Sequence, residues 1–131
     1  MIGLDTNVLV RYLTQDDAEQ AALATAVIEN ELSATRPGFI SLVVLVECIW
    51  VLGRLYRATA AEIHDIVEGF LGSSSVVVEN RGVVVRALAT ARQNGASLPD
   101  AVIAASAFSA GCDKVLTFDR GAMTAGMTLL D

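Results

Sequence analysis

Met1-Ile-Gly-Leu-Asp5-Thr6-Asn7-Val-Leu-Val10 decides the fold. Four apolar residues end on an acid, and a second apolar run begins two residues later. Met1 to Leu4 reads as a buried parallel strand, with Asp5 at its carboxyl end. In open α/β sheets ligands bind beyond the carboxyl ends of the strands. An acid placed there suits a cation, although Asp5 or Asn7 could equally cap the following helix.

Outward from this stretch, the same alternation repeats. Asn7 to about Leu13 reads as a short helix. Asp17-Ala-Glu-Gln20 has the form of a capping box opening a helix to about Leu32, with Leu23, Ala24, Val27, Ile28 and Leu32 on one face. Gly38 to Ser41 reads as a second strand, and Ser41 caps a helix from Leu42 to about Arg57. That helix is apolar almost all round, as expected of one buried on most sides. Thr59-Ala-Ala-Glu62 is a second capping box, and its helix ends at Gly72. A third strand follows over Val76 to Glu79. A helix runs from about Arg81 to Asn94, where Gly95 ends it. Leu98-Pro99-Asp100 opens a helix to about Ala110, with Pro99 suited to its first position. Lys114 to Thr117 and Met127 to Leu130 are the last strands, separated by a helical turn. Short apolar strands alternating with helices indicate a parallel sheet covered on both faces.

The totals bound what such a chain can do. Its 131 residues suffice for one domain. The hydrophobic fraction is 53% and the mean hydropathy +0.54, so apolar patches are expected at the surface and with them a protein interface. A net charge of -6 argues against a diffuse electrostatic grip on nucleic acid. Eight of the nine basic residues are Arg, which suits bidentate phosphate contacts. Cys48 and Cys112 lack metal or framework spacing and read as small buried hydrophobes of a reducing compartment. No signal peptide is evident, and the apolar stretch from Phe39 to Leu52 falls short of the roughly 18 residues of a membrane span. A cytoplasmic protein is expected. The single histidine, His64, shares its helix face with Asp65 and Glu68 and reads as a surface residue.

Four acids occupy positions that call for explanation. Asp5 and Asp119 end strands, Asp100 lies in the first turn of a small-residue helix, and Glu47 interrupts an apolar helix. A carboxylate is seldom buried unless it is paired or holds a metal. Arg11 and Arg54 are the pairing alternatives for Glu47. If the four acids converge, each pair about 5 Å apart repels by about 3 kcal/mol at an effective dielectric near 20. A hard divalent ion relieves that repulsion, and oxygen-only donors favour Mg²⁺ or Mn²⁺ over Zn²⁺. Such sites serve phosphoryl chemistry.

Taken in order, Asp5-Thr6-Asn7, Ser41 to Glu47, Asp100-Ala-Val-Ile-Ala-Ala105 and Leu116-Thr117-Phe118-Asp119 resemble a PIN-domain ribonuclease, most closely the VapC-type toxins of bacterial toxin–antitoxin pairs. The resemblance covers essentially the whole chain, 1–131, as a single PIN-like domain. It implies a three-layer α/β/α fold with a central parallel sheet of four or five strands in the order 3-2-1-4-5. It implies Mg²⁺-dependent endoribonuclease activity, with Mn²⁺ as a substitute, by attack of metal-activated water on RNA. Asp5, Asp100 and Asp119 would be the metal ligands, and Glu47 would complete the catalytic acid set. Asn7 and Thr117 would orient the carboxylates, and Arg120 is a candidate phosphate contact. The implied partners are RNA, a small antitoxin that lays an apolar helix into a groove, and a second copy of the chain. Family members often carry an aromatic residue two or three positions after the last acid; here Gly121 and Ala122 follow Arg120.

Two other readings remain open on the sequence. A non-catalytic PIN-like interaction module would use its acids only to receive a partner's arginine. An aspartyl-nucleophile phosphatase also opens with an apolar strand ending in Asp. It needs a second acid two residues later, where this chain has Asn7.

Overall fold

The computed structural model describes all 131 residues, Met1–Asp131, and forms two compact units, Met1–Glu79 and Asn80–Asp131. In the first unit, β1 (Ile2–Gly3), β2 (Gly38–Ile40) and β3 (Val76–Val78) form a parallel sheet with β2 in the middle. Ile2 pairs with Gly38, and Gly38 with Val76. Gly38 is closely packed, and any larger residue there would have to displace two leucine side-chain ends. A Cβ there would stand 2.8 Å from both Leu4 Cδ1 and Leu32 Cδ1.

Helix α1 (Thr6–Thr14) starts directly after β1, and Asp5 is its N-cap. Thr6, Leu9 and Val10 are its buried residues, the i, i+3, i+4 spacing of one helix face. Asp17 caps α2 (Ala18–Ala26) by accepting from Gln20 N at 3.0 Å. The helix widens into a π-turn over Val27–Glu31, where Leu32 N donates to Val27 O. Leu23 is 66% exposed, not inward-facing as expected. Ala21 and Ala24 make the buried contacts instead, because α1 packs closely on α2.

Helix α3 (Leu42–Leu55) carries two N-terminal caps. Ser41 Oγ accepts from Val44 N, and Glu79 Oε1 accepts from Leu42 N at 2.8 Å. The expectation of a helix buried on most sides is corrected. Leu45, Cys48, Ile49 and Leu52 are buried, whereas Val43, Glu47 and Trp50 are exposed. Helix α1 and the helix that follows α3 pack against it on one side, so the opposite apolar face meets solvent.

Helix α4 (Ala60–Gly72) begins with the expected reciprocal capping box of Thr59 and Glu62. His64 is half-buried, less solvated than its acidic neighbours suggest. Gly69 lies within α4, exposed, with nothing within 4 Å of a Cβ built on it. Gly69→Ala is therefore expected to stabilise the protein by about 0.5–1 kcal/mol, through helix propensity alone. A urea-denaturation midpoint that stays put or falls would show that this backbone is held by something other than its helix.

In the second unit, α5 (Arg81–Asn94) buries Val83, Val84, Ala87, Leu88 and Ala91 and ends at left-handed Gly95. It packs against α6 (Leu98–Ser109). The cap of α6 is Ser97, whose Oγ accepts from Asp100 N at 3.2 Å. Pro99 therefore occupies the second helical position, not the first. Strands β4 (Leu116–Thr117) and β5 (Thr128–Leu129) form a parallel pair around a 3-10 helix, Arg120–Ala125.

The strands thus make two parallel sheets, of three and two strands, where a single sheet in the order 3-2-1-4-5 was expected. The neighbours within each follow that order. Strands of two or three residues offer few ladder bonds, and those of β1 go to the β2 segment: Ile2 N donates to Pro37 O and Leu4 N to Phe39 O. No helix is long and apolar enough to cross a membrane.

Candidate active site

Of the acids expected at a site, the first unit carries Asp5 and Glu47. Asp5 is exposed at the end of the β1 segment, and its Oδ1 accepts from Thr6 N at 2.8 Å. This single short bond makes Asp5 the cap of α1, so the structural explanation for the acid holds, while the side chain still faces solvent. Thr6 is buried, 3% exposed, and its hydroxyl donates a hydrogen bond to Glu47 Oε1. Two consecutive residues thus carry one acid and orient another 41 positions away.

Glu47 is corrected from buried to exposed. It stands on the outer face of α3, beside a shallow apolar recess lined by Leu42, Val43, Val46 and Trp50. Its partner is Thr6 rather than either arginine. Arg11 is engaged by Asp16 at 3.1 Å and by Tyr56 Oη at 3.1 Å. Arg54 lies over the Trp50 ring, 5.2 Å from its centroid. The Glu47 charge is felt next door. Burial first, and then the Glu47 carboxylate, push the Cys48 thiol up to about 11. Cys48 is buried as expected, but Cys112 is exposed, because it lies beyond Ser109, where α6 ends.

Thr6 was missed by reasoning that singled out its neighbour. Asn7 is exposed and lines a recess of about 350 Å³ with Val8, Arg11, Gln20, Leu23, Ala24 and Val27. The signal was present: Thr6, Leu9 and Val10 share a helix face, so Thr6 must point inward and Asn7 outward. Thr6→Val keeps the buried shape and removes the donor. A freed Glu47 is predicted to lower activity about ten- to a hundredfold, the usual cost of losing a group that orients a ligand side chain. Stability should change by no more than about 1 kcal/mol, since Glu47 is exposed and regains water. Unchanged turnover of RNA by this variant would remove Thr6 from the site.

The second unit carries the candidates Asp100, Thr117, Asp119 and Arg120. Asp100 is half-buried in the first turn of α6, where its charge also complements the helix dipole. Asp119 is exposed and caps the 3-10 helix, its Oδ1 accepting from Gly121 N at 2.8 Å. Thr117 Oγ1 accepts from Asp119 N at 3.0 Å, which fixes the backbone that carries the acid. Arg120 is exposed.

All four candidate acids offer carboxylate oxygen, a donor set suited by chemistry to a hard divalent ion. The arrangement does not gather three or more His, Cys, Asp or Glu side chains into a group able to hold one.

A family model described as PIN domain matches residues 2–124. The chain therefore belongs to the PIN-domain family, whose members are generally metal-dependent nucleases acting on RNA. At that level the protein is a nuclease-type hydrolase. No curated protein matches the chain.

Proposed function

We propose that this PIN-family chain is a Mg²⁺-dependent endoribonuclease, with Mn²⁺ able to substitute, and the toxin of a VapC-type type II toxin–antitoxin pair. The observation that carries the catalytic part is the Asp5-Thr6 step: one residue presents a carboxylate at a strand end, and the next orients Glu47. The family match spans both compact units, which supports reading 1–131 as one PIN-like domain.

In this reading Asp5, Asp100 and Asp119 would hold the metal, which when bound would supply Lewis-acid activation of water and of the phosphoryl group. Glu47, kept in one rotamer by Thr6, accepts a proton from the attacking water. Thr117 fixes the chain at Asp119, and Asn7 serves the strand end that bears Asp5. Arg120 contacts a phosphate oxygen. The capping bonds matter mechanistically. They hold Asp5 and Asp119 through neighbouring backbone N–H groups, so these two carboxylates are positioned before substrate arrives.

The apolar recess of α1 and α2 is the groove we assign to the antitoxin's helix. Exposed Ile103, Phe108 and Met123 in the second unit offer apolar area to a second copy. The cellular compartment in this reading is the cytoplasm.

The test is a closed circular single-stranded RNA. An endonuclease linearises it in Mg²⁺ or Mn²⁺ and leaves it intact in EDTA, with 3′-hydroxyl and 5′-phosphate ends. Digestion of linear RNA only, or linearisation in EDTA, would contradict the proposal.

A further inference from the structure

Helix α3 grows out of the central strand β2, and residues from both flanking strand ends hold it. The last register pairs are Gly3 with Phe39 and Ile40 with Val78. Carried past them, the register sets Asp5, Ser41 and Glu79 side by side at the carboxyl edge of the sheet. Backbone bonds reach that far: Leu4 N donates to Phe39 O at 3.0 Å and Glu79 N to Ile40 O at 2.9 Å. Neighbouring strands lie about 4.8 Å apart, so the backbones of Glu79 and Asp5 stand about 10 Å apart along this edge.

Glu79 Oε1 accepts from Leu42 N at 2.8 Å, the first residue of α3 and 37 positions away. Leu42, Val43 and Val44 are not buried, and the core contacts of α3 start at Leu45. Caps therefore hold the first turn where packing does not: Ser41 Oγ accepts from Val44 N, and Glu79 from Leu42 N. In an α-helix the amide of Glu47 bonds to the carbonyl of Val43, so that first turn is the seat of Glu47. From the β1 side, the Thr6 hydroxyl donates to the Glu47 carboxylate. A helix held by one polar bond can pivot about it. Leu42 and Glu47 are anchored about 7.5 Å apart along the axis, and two anchors fix a direction.

We propose that Glu79 is a positioning residue for the candidate site. It sets the first turn of α3 and, together with Thr6, holds the Glu47 carboxylate beside the strand end that bears Asp5. The proposal rests on the nuclease reading above, in which Glu47 accepts a proton, and adds a residue to it. The role requires a hydrogen-bond acceptor at the end of β3 and not a charge. That separates it from a further metal-binding acid, for which the charge is indispensable.

The full chain is compared with Glu79→Ala, Glu79→Gln and Thr6→Val in RNA cleavage with divalent ion. Glu79→Ala should lower kcat about tenfold, the scale of losing a group that orients a reacting side chain, and leave KM in place. Glu79→Gln keeps the acceptor and should recover most of that loss. Added to Thr6→Val, which already frees Glu47, Glu79→Ala should cost less than about twofold more, because both changes act through one carboxylate. If Glu79→Ala does not fold, Glu79→Met keeps the length of the stem without the acceptor and serves in its place. Full turnover in the variant without an acceptor, additive losses, or Glu79→Gln as slow as Glu79→Ala overturns the proposal.

Amide NMR of the metal-free protein gives a readout that needs no activity. In Glu79→Ala the signals of Leu42, Glu47 and Thr6 should shift, and exchange at the Leu42 amide should speed up, while Arg54 stays in place. A change confined to Leu42 makes Glu79 a local cap only and overturns the proposal. Coupling from Leu42 to Thr6 in a protein that cleaves no RNA with any divalent ion supports the positioning of Glu47 and overturns the nuclease reading, so the two failures are separable.

Discussion

Asp5→Asn is expected to lower RNA cleavage by roughly two to three orders of magnitude, the scale seen when one preorganised electrostatic group is removed from an active site. The fold should survive the change. Asp5 caps α1 by accepting from Thr6 N through one oxygen, and an asparagine side chain can accept the same bond. The substitution removes the negative charge and leaves the cap, so it separates the two roles of this residue. Denaturation and cleavage assays on one preparation provide the check. A variant that aggregates or loses its cooperative transition would mean that Asp5 is needed for structure. A stable variant with normal turnover would remove it from catalysis.

The largest stability effect is expected at Leu45. Its side chain is fully buried on the inner face of α3, with Cys48, Ile49 and Leu52. Leu45→Ala removes buried apolar surface and leaves a cavity, for a loss of about 2–5 kcal/mol. Val43→Ala, two residues away at a side chain 78% exposed, should shift stability by no more than about 0.5 kcal/mol. Urea denaturation of the pair tests which face of α3 anchors it. The result bears on function, because α3 carries Glu47 and Trp50 on the opposite face. Comparable losses in both variants would contradict the assigned orientation of the helix.

That orientation is where sequence reasoning reached its limit. Helix α5 was readable to the residue, since Val84, Leu88 and Ala91 give it one apolar face and Gly95 a left-handed end. The capping box at Thr59 and Glu62 was readable for the same reason: local bonds depend on local residues. Helix α3 is apolar on several faces, and periodicity then cannot tell a face that meets the core from one that meets solvent. Glu47 was accordingly placed inside when it stands outside. Leu23 shows the same failure on a smaller scale. Small alanines allow α1 and α2 to approach closely, and the larger side chain is left outside. At the site, the positions of Asp5 and Asp119 at segment ends followed from the pattern, and both also act as caps. The Thr6–Glu47 bond joins residues 41 apart, and no local pattern announces such a pairing. Only the helical phase of Thr6 with Leu9 and Val10 hinted at it. The Ser97 cap was passed over because Pro99 drew attention to the wrong first residue. Cys112 looked buried by its apolar neighbours, but the helix ends before it.

The most direct measurement is cleavage of a mixed RNA pool by purified protein in Mg²⁺, Mn²⁺ or EDTA, beside an identically prepared Asp100→Ala variant. The account predicts discrete products that require the divalent ion and vanish in the variant. Equal cleavage by both proteins, or products that persist in EDTA, would contradict it.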